Sequence, residues 1–388
     1  MEKQKNLPQL RFPDYEGEWG KKKLGDTAEL TSSKRVYMSD YTSSGIPFFR
    51  GKEITELKQG LEPSDILYIS ESAYLKFKEQ YGVPEYDDIL MTAVGTLGNV
   101  YRITDDKPFY FKDGNLIWFR KIQEHSSFLE ILLFVNRKEV EKSSIGSTQR
   151  ALTMVELRKL CFFFPALPEQ QKIASFFTAI DQKISQLKRK KSLLEQYKKG
   201  VMQKIFSQQI RFKDDNGQEF PKWEKMRLEE ISNKKASTIS ANTIEENSGV
   251  YPIYGATGFL KNVDFFLEEN DYIGIVKDGA GVGRLLYCEG NSSVLGTLDI
   301  IRPKKGINTY FLYLLLGQID FTKFITGSTI PHIYYKDYSK NSLLIPCPKE
   351  QTKIANFLSV IDDKIHHTQK QIEKDEVWKK GLMQQMFV

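Results

Sequence analysis

The chain has 388 residues, of which 40% are hydrophobic and 27% charged, an ordinary composition for a protein with two or three globular domains. The three cysteines, at positions 161, 288 and 347, lie far apart without a Cys-x-x-Cys pair, which argues against a zinc ribbon or a secreted disulfide framework. The formal net charge is +6, and residues 169–213 hold eleven Lys or Arg against three acidic residues. Such a run is usually a solvated helix face, so by itself it does not establish DNA binding.

The distribution of apolar residues does not suggest a membrane or secreted protein. Residues 1–10 show no signal-peptide pattern, and the longest apolar run, residues 161–167, is too short to span a membrane. We therefore expect a cytoplasmic protein without a membrane partner.

The first part of the chain, residues 13–165, has the pattern of a small β-rich domain. Short runs of β-branched and aromatic residues at 66–69, 100–103 and 116–119 predict strands, and Gly, Asn and Asp residues between them predict turns. An apolar segment at 128–135 predicts one helix. We expect a small α+β domain with many loops.

Residues 169–206 follow with the pattern of one long helix. Apolar residues recur at alternating spacings of four and three, as in a coiled-coil seam, and prolines stand just before the pattern at 165 and 168. At about 1.5 Å per residue the helix is too long for the core of a compact domain, so it should pack against another long helix. The predicted seam comprises Ile173, Phe177, Ile180, Ile184 and Leu187.

The second part, residues 212–346, repeats this organisation, with predicted strands at 272–276 and 298–301 and an apolar helix at 311–316. The glycine-rich segment 277–284 precedes a strand instead of a helix, which favours a tight turn over a dinucleotide-binding loop.

A second long helix is predicted within residues 347–388. Its seam comprises Ile354, Leu358, Ile361 and Ile365. His366 and His367 are neighbours on this helix, and neighbours point to different helix faces. We therefore predict that both are exposed to solvent and that they do not form a metal pair.

The chain is an internal repeat. In an ungapped alignment of residues 146–206 with residues 327–387, 22 of 61 positions are identical. Upstream, Arg11-Phe12, Trp19 and Leu24 correspond to Arg211-Phe212, Trp223 and Leu228. Self-similarity of this kind decides architecture.

The predicted fold class is α+β, with two small β-rich domains separated by an antiparallel pair of long helices and related by pseudo-twofold symmetry. The expected limits are 1–165 for the first domain with its N-terminal segment, 166–211 for the central helix, 212–346 for the second domain and 347–388 for the C-terminal helix. An intermolecular coiled coil in a dimer is the alternative for the helices.

No catalytic motif is recognisable in the sequence. There is no GxxxxGK[ST] phosphate loop, and residues 106–109 carry a lysine where the Asn/Asp-Pro-Pro-aromatic loop of amino-methyltransferases has its first proline. The one Glu-x-Lys string, residues 56–58, has no counterpart in the second repeat. We predict no catalytic residue, no metal ligand and no cofactor bound by this chain.

Over essentially its full length the sequence resembles the specificity (S) subunits of type I restriction-modification systems. The resemblance is carried by the paired Glu-Gln-x-x-Ile-Ala-x-Phe…Ile-Asp-x-Lys-Ile helices at 169–184 and 350–365. It is carried also by the Gly-Ser-Thr turns, the Lys-Lys-Gly-x-Met-Gln tails and the Arg-Phe…Trp…Leu starts. One departure stands at Arg150, where the family commonly has a proline like Pro331 of the second repeat, so this loop is expected to differ in shape.

The resemblance implies a non-catalytic, DNA-associated subunit with two target-recognition domains. Each domain would read one half of a bipartite double-stranded DNA sequence. The helices would dock two methyltransferase subunits, and two restriction and translocation subunits would complete the complex. S-adenosylmethionine, ATP and Mg²⁺ would be bound by those partner subunits.

Candidate DNA contacts are basic, amide and aromatic residues in predicted loops, because phosphate contacts supply affinity and base-edge contacts supply specificity. Each is also compatible with ordinary surface. In the first domain they are Lys34, Arg35, Tyr37, Arg50, Lys52, Gln149 and Arg150. In the second domain they are Lys234, Lys235, Tyr254, Lys277, Arg284, His332 and Tyr334.

Two other functions remain open from the sequence. An interaction scaffold would use the helices and the variable domains to bind proteins, and it would show no salt-dependent affinity for DNA. An autonomous nuclease would cut DNA in the presence of Mg²⁺ without any partner.

Overall fold

The computed structural model describes residues 6–388, so the first half of the segment 1–10, for which we expect no signal peptide, lies outside it. The described chain divides into two compact units. Unit 1 is the described chain up to Leu187 together with Gln371–Val388, and unit 2 is Lys188–Lys370. Within residues 6–388, no helix has both the length and the apolarity needed to cross a membrane.

Unit 1 is built from ten strands and six helices before the first long helix. In chain order they are β1 (Gly20–Lys23), α1 (Leu24–Thr27), β2 (Glu29–Thr31), β3 (Tyr41–Thr42), β4 (Ile46–Phe49), α2 (Gly51–Lys58), β5 (Leu67–Ile69), α3 (Glu71–Tyr81), β6 (Ile89–Thr92), β7 (Val100–Arg102), β8 (Tyr110–Phe111), β9 (Leu116–Arg120), α4 (Ser126–Val135), α5 (Arg137–Lys142), α6 (Met154–Lys159) and β10 (Cys161–Phe164). The long helix α7 (Leu167–Phe206) follows.

Unit 2 contains the remaining strands and short helices. They are β11 (Glu224–Arg227), α8 (Leu228–Ile231), β12 (Ser232–Ala236), β13 (Tyr251–Gly255), β14 (Gly258–Val263), β15 (Tyr272–Val276), β16 (Leu285–Cys288), β17 (Ser293–Val294), β18 (Leu298–Pro303), α9 (Thr309–Leu316), α10 (Tyr335–Tyr338) and β19 (Ser342–Ile345). The second long helix is α11 (Pro348–Met386). Short 3₁₀ helices occur at Met38–Asp40, Asn242–Ile244 and Phe321–Phe324.

The sheets of the two units correspond. Unit 1 has a four-stranded sheet of order β2-β9-β6-β7, and unit 2 has the matching sheet β12-β18-β15-β16. A second sheet, β3-β5-β4-β8 in unit 1, corresponds to β14-β13-β17 in unit 2, and each contains one parallel pair. In each unit a two-stranded ribbon, β1-β10 or β11-β19, joins the start of the repeat to the strand before the long helix.

The central strands of the larger sheets are buried on both faces, which explains why the sequence shows continuous apolar runs there. In β6, Ile89 and Met91 belong to one hydrophobic core and Leu90 to another. In β15, Ile273 and Ile275 face the core that contains the long helices, whereas Tyr272 faces a separate core. The predicted α+β class is therefore confirmed, and segment 277–284 forms the predicted turn between β15 and β16.

Each unit contains the beginning of one long helix and the end of the other. In unit 1 the core joins Ile173, Phe177, Ile180 and Ile184 of α7 to Ile372, Met383 and Met386 of α11, with Leu187 packed beside it. In unit 2 it joins Ile354, Leu358 and Ile361 of α11 to Ile205 of α7, with Ile365 half-buried alongside. The two helices therefore run antiparallel within each unit. His366 and His367 are exposed, as expected.

Candidate nucleic-acid interface

The motif at the start of each long helix holds the start of the same repeat. The Arg11 guanidinium donates to both carboxylate oxygens of Glu169, at 2.8 and 2.7 Å. Its counterpart Arg211 does the same to Glu350, at 3.2 and 2.7 Å. Both carboxylates are buried, so the bidentate pairing compensates for their desolvation.

The glutamine of the same motif fixes the first turn of the apolar helix. The Gln170 side chain accepts from the backbone N–H of His125, which precedes α4, and donates to the Pro165 carbonyl. Gln351 makes the same two bonds, to Asn308 before α9 and to Pro346. A helix start leaves backbone N–H groups without intrahelical partners, and here a buried amide side chain satisfies one.

The tails of the helices supply the aromatic and charged contacts that close each unit. In unit 1, Phe387 packs on Trp19 and Phe128, with ring centroids 6.1 and 5.4 Å away. In unit 2, Phe206 packs on Trp223 and Phe311, at 6.3 and 5.9 Å.

Two equivalent ion pairs join the antiparallel helices. Lys379 donates to Asp181 at 2.5 Å in unit 1, and Lys198 donates to Asp362 at 2.6 Å in unit 2. The repeated motifs thus account for the frame of each unit, and the exposed loops are left to carry whatever differs between the units.

Two loops meet at the same edge of the frame in each unit. In unit 1 the Gly-Ser-Thr loop is closed by two hydrogen bonds between Ile145 and Ala151, and Ala151 also pairs with Val94 in the turn after β6. In unit 2 the corresponding loop is closed between Thr326 and His332, and His332 pairs with Asp278 in the turn after β15. We call the segments after β6 and β15, residues 93–99 and 277–284, the turn of each unit. We call residues 145–151 and 326–332 its closing loop.

The closing loop at Arg150, which we expect to differ in shape, is closed by the same pair of backbone hydrogen bonds as its counterpart, and the difference is confined to one contact, in which the Pro331 carbonyl accepts from the Gly279 N–H at 2.9 Å. Gly146 and Gly327 both have positive φ, +100° and +88°, and a Cβ at either would meet a backbone carbonyl three residues on. The closing hydrogen bonds do not involve position 150 or its counterpart Pro331. Instead of altering the loop, the Arg150 side chain braces it, since the guanidinium donates to Ser144 Oγ and the Glu141 carbonyl.

Unit 1 brings Arg50 and Lys52 to the turn. They line a cleft of about 540 Å³ with Thr55, Thr92 and Thr96, among others. The Arg50 guanidinium is bound to the buried carboxylate of Glu53 at 2.5 Å. Burial acts to raise the pKa of Glu53, but the hydrogen bonds from Arg50 outweigh it and lower that pKa. Lys52 is the freer cation, 3.8 Å from Glu56, and Gln149 is exposed on the adjacent closing loop.

The candidates Lys34, Arg35 and Tyr37 lie on a separate exposed segment after β2. The Lys34 ammonium lies 5.2 Å from the ring centroid of Tyr81, and Arg35 donates to Asp113 at 2.9 Å. The Tyr37 ring is largely exposed. These three residues make a surface of their own.

Unit 2 brings Lys277, Arg284 and His332 to its turn and closing loop. Arg284 donates to the Ala256 carbonyl at 2.7 Å, which ties the turn to the β13–β14 hairpin. The His332 ring contacts the exposed Tyr334 ring edge to face at 5.1 Å. Lys336 adds an ammonium 5.2 Å from the Tyr334 centroid.

The remaining candidates of unit 2 separate into different environments. Lys234 and Lys235 are consecutive in β12 and so point to opposite faces of the sheet. Lys235 donates to the buried Glu268 at 3.0 Å, beside Arg302, and is a structural ion pair. Tyr254 is half-buried, and burial raises its pKa.

Sequence reasoning missed Asp299. Its buried carboxylate lies 3.6 Å from the Lys234 ammonium and 3.5 Å from that of Lys277. The available signal was an acidic residue inside the apolar run 298–301. Between residues 6 and 388, no three His, Cys, Asp or Glu side chains are grouped so that they could hold a metal ion.

Comparison with known proteins agrees with this architecture. The family model described as type I restriction modification DNA specificity domain matches residues 16–196 and 221–374. The putative type I restriction enzyme MjaX specificity subunit of Methanocaldococcus jannaschii is 24% identical, over 98% of this chain and 95% of that protein. The MjaVIII specificity subunit of the same organism is 30% identical, over 47% of this chain and 46% of that protein.

A solved structure shares the fold. The S subunit of a type I restriction-modification system from M. genitalium superposes with a TM-score of 0.67 at 18% identity, covering 98% of this chain and 99% of that one. The family model covers well over half of the present sequence, in two copies that coincide with the two repeats. The chain therefore belongs to the family of type I restriction-modification specificity subunits.

Proposed function

We propose that this chain is the non-catalytic DNA-reading subunit of a type I restriction-modification complex, and that each unit reads one half of a bipartite double-stranded target. The observation that carries the proposal is the pair of equivalent turns and closing loops. The same frame presents Gln149 and Arg150 in unit 1 and Ile330, Pro331 and His332 in unit 2. One frame with two different sets of loop side chains suits the reading of two different base sequences.

The test is direct binding of the purified chain, with its methyltransferase partners, to duplex DNA at several salt concentrations. We expect log Kobs to fall linearly with log[salt], by about 0.9 for each phosphate contacted. Affinity without salt dependence would favour a protein-binding scaffold. Cleavage by the chain alone with Mg²⁺ would favour an autonomous nuclease.

We further propose that the exposed faces of α7 and α11 dock two methyltransferase subunits. Supporting this, Tyr197 and Trp378 occupy equivalent positions of the two helices and are 54% and 49% exposed, an unusual exposure for large aromatic side chains. Those subunits would bind S-adenosylmethionine, and two restriction and translocation subunits would bind ATP and Mg²⁺. A cytoplasmic, DNA-associated location follows from the same proposal.

Docking can be tested by co-purification. Tyr197→Ala with Trp378→Ala should release the methyltransferase subunits, whereas the thermal midpoint of the isolated chain should fall only slightly, by the loss of the edge-to-face contact between Trp378 and Phe176. Lys199→Ala with Lys380→Ala, at exposed positions two residues further along each helix, is the control. Full retention of both methyltransferase subunits by the aromatic double variant would exclude this surface.

A further inference from the structure

Unit 2 has a cluster of three charged side chains where its turn begins, at the end of β15. Lys234 in β12 and Lys277 at the end of β15 both approach the same oxygen, Oδ1, of Asp299 in β18, at 3.6 and 3.5 Å. The Asp299 side chain is 5% exposed, whereas those of Lys234 and Lys277 are 33% and 24% exposed. The carboxylate is therefore buried, and the two ammonium groups are held between it and the solvent.

The same three positions of unit 1 are apolar. The strand registers identify these positions. Leu30 pairs with Phe119 as Lys234 pairs with Ile301, so Leu30 is the equivalent of Lys234. Ile117 pairs with Met91 as Asp299 pairs with Ile275, so Ile117 is the equivalent of Asp299.

Ala93 follows β6 just as Lys277 follows β15. Leu30, Ile117 and Ala93 are all buried. The frame is thus built with an apolar cluster in one unit and a charged cluster in the other.

Stability alone does not call for the charges. Replacing a buried ion pair by well-packed apolar side chains is often neutral or stabilising, and unit 1 shows that this frame accepts the apolar version. A second role would explain why the ammonium groups of unit 2 are retained at these positions.

The cluster lies where the turn and the closing loop meet. The Lys277 carbonyl accepts from the backbone N–H of Ile333 at 3.0 Å, and the next residue, Asp278, pairs with His332. Two ammonium groups and one carboxylate leave a net charge of +1. That charge matches one DNA phosphate, and holding both lysines in place before binding reduces the ordering cost of the contact.

We propose that Lys234 and Lys277, anchored on Asp299, form a binding site for one DNA phosphate in the half-site read by unit 2, and that unit 1 has no such site. Asp299 acts as a positioning residue. The inference rests on the proposed DNA-reading function.

The test transplants the residues of unit 1. The triple variant Lys234→Leu, Asp299→Ile, Lys277→Ala is compared with Lys235→Gln, which also lowers the net charge by one but on the opposite face of the sheet. Both are assayed as the full chain with its methyltransferase partners, on duplex DNA carrying the methylated sequence found in the host.

We expect the triple variant to lose about 0.9 from the slope of log Kobs against log[salt], and about eightfold in affinity at 0.1 M salt. The loss should be the same on DNA of unrelated sequence, because a phosphate contact carries no base information. Lys235→Gln should keep the slope of the parent chain. An unchanged slope in the triple variant, an equal loss in Lys235→Gln, or an altered methylated sequence would each overturn the inference.

A second comparison isolates Asp299. The double variant Lys234→Leu, Lys277→Ala leaves a buried unpaired carboxylate, so its thermal midpoint should fall below that of the parent chain. Adding Asp299→Ile should restore the midpoint without restoring the salt slope. A double variant as stable as the parent chain would show that Asp299 does not anchor the lysines. If the parent chain itself showed no salt-dependent binding, the proposed function would fail, and not this inference alone.

Discussion

The two units share a frame and differ in what the frame presents. Arg11 in unit 1 and Arg211 in unit 2 make the same ion pair with a buried carboxylate, that of Glu169 or Glu350. Both units close their Gly-Ser-Thr loop with the same pair of backbone hydrogen bonds. The contrast is at the start of the turn, where unit 1 is apolar and unit 2 carries Asp299 with two lysines. Repetition therefore marks residues that build, and divergence marks residues that can recognise.

The largest effect is expected from a substitution that disrupts the helix packing, and it should be equal in the two units. Ile180 and Ile361 are equivalent, and both are buried where the long helices pack. Changing either to Asp places an unpaired charge in a core and should cost at least about 4 kcal/mol of unfolding free energy. Chemical denaturation measures this loss of unfolding free energy. Methylation of the whole target should be lost in both variants.

Matched controls for this experiment stand on the same helices. Ala179→Asp and Val360→Asp introduce the same charge at the exposed neighbouring positions and should leave stability nearly unchanged. If Ile180→Asp or Ile361→Asp methylated normally, the packing of the paired helices would not matter for function.

A smaller effect should distinguish the two buried ion pairs. Glu350 accepts from the Trp223 indole N–H at 3.1 Å as well as from Arg211. In unit 1 the Trp19 indole nitrogen has no hydrogen-bond partner among residues 6–388. Glu350→Ala should therefore cost about 1 to 3 kcal/mol more than Glu169→Ala, because it leaves an additional buried donor unpaired.

Denaturant titration of a double-mutant cycle checks the cause. In a Trp223→Phe background the extra donor is gone, so Glu350→Ala should cost about the same as Glu169→Ala. A difference that persisted in that background would have to come from another source.

The smallest effect concerns acid stability. Burial acts to raise the pKa of Glu268, but hydrogen bonds from Arg302 and Lys235 outweigh it and hold the pKa below the usual 4.5. The ion pairs of Glu268 therefore stabilise unit 2 fully above pH 4.5, the usual pKa of the group. This stabilisation is lost as the pH falls through the lower pKa that Glu268 has in the folded state. Thermal midpoints of the parent chain should fall more steeply than those of Glu268→Gln below pH 4.5.

Unit 1 provides the comparison for this prediction. Glu29 pairs with Arg120, the equivalent of Arg302, and hydrogen bonds from Arg120 and Lys121 lower its pKa. The Glu29 carboxylate is far more exposed than that of Glu268. Solvent screens exposed pairs, so Glu29→Gln should change the acid dependence less. A larger change in Glu29→Gln would contradict the account.

The sequence was sufficient for the frame because the frame repeats. Heptad spacing located the buried positions of α7 and α11, and apolar runs located β5, β7, β9, β15 and β18, whereas β6 was not predicted. The repeat also identified Arg11 and Arg211 as equivalent residues, although the sequence did not show what they bind. In the structure each binds a buried glutamate, Glu169 or Glu350.

The candidate interface was less accessible to sequence reasoning. Loop composition identified cations but not their partners, so it could not separate Lys235, bound to Glu268, from Lys234 on the opposite face. Nor could it reveal that Arg50 is bound to Glu53 or that Arg150 braces its own loop. These contacts join residues brought together only by sheet pairing, and composition carries no information about them.

The most direct test of the central claim is an exchange of one recognition segment. Residues 212–346 would be replaced by the matching segment of another family member, leaving α7, α11 and unit 1 intact as far as the exchange allows. Methylome sequencing of a host that carries the chimera and its partners then reads the target. We predict that one half of the methylated sequence changes and the other half stays the same. A change in both halves, or in neither, would contradict the assignment of one half-site to each unit.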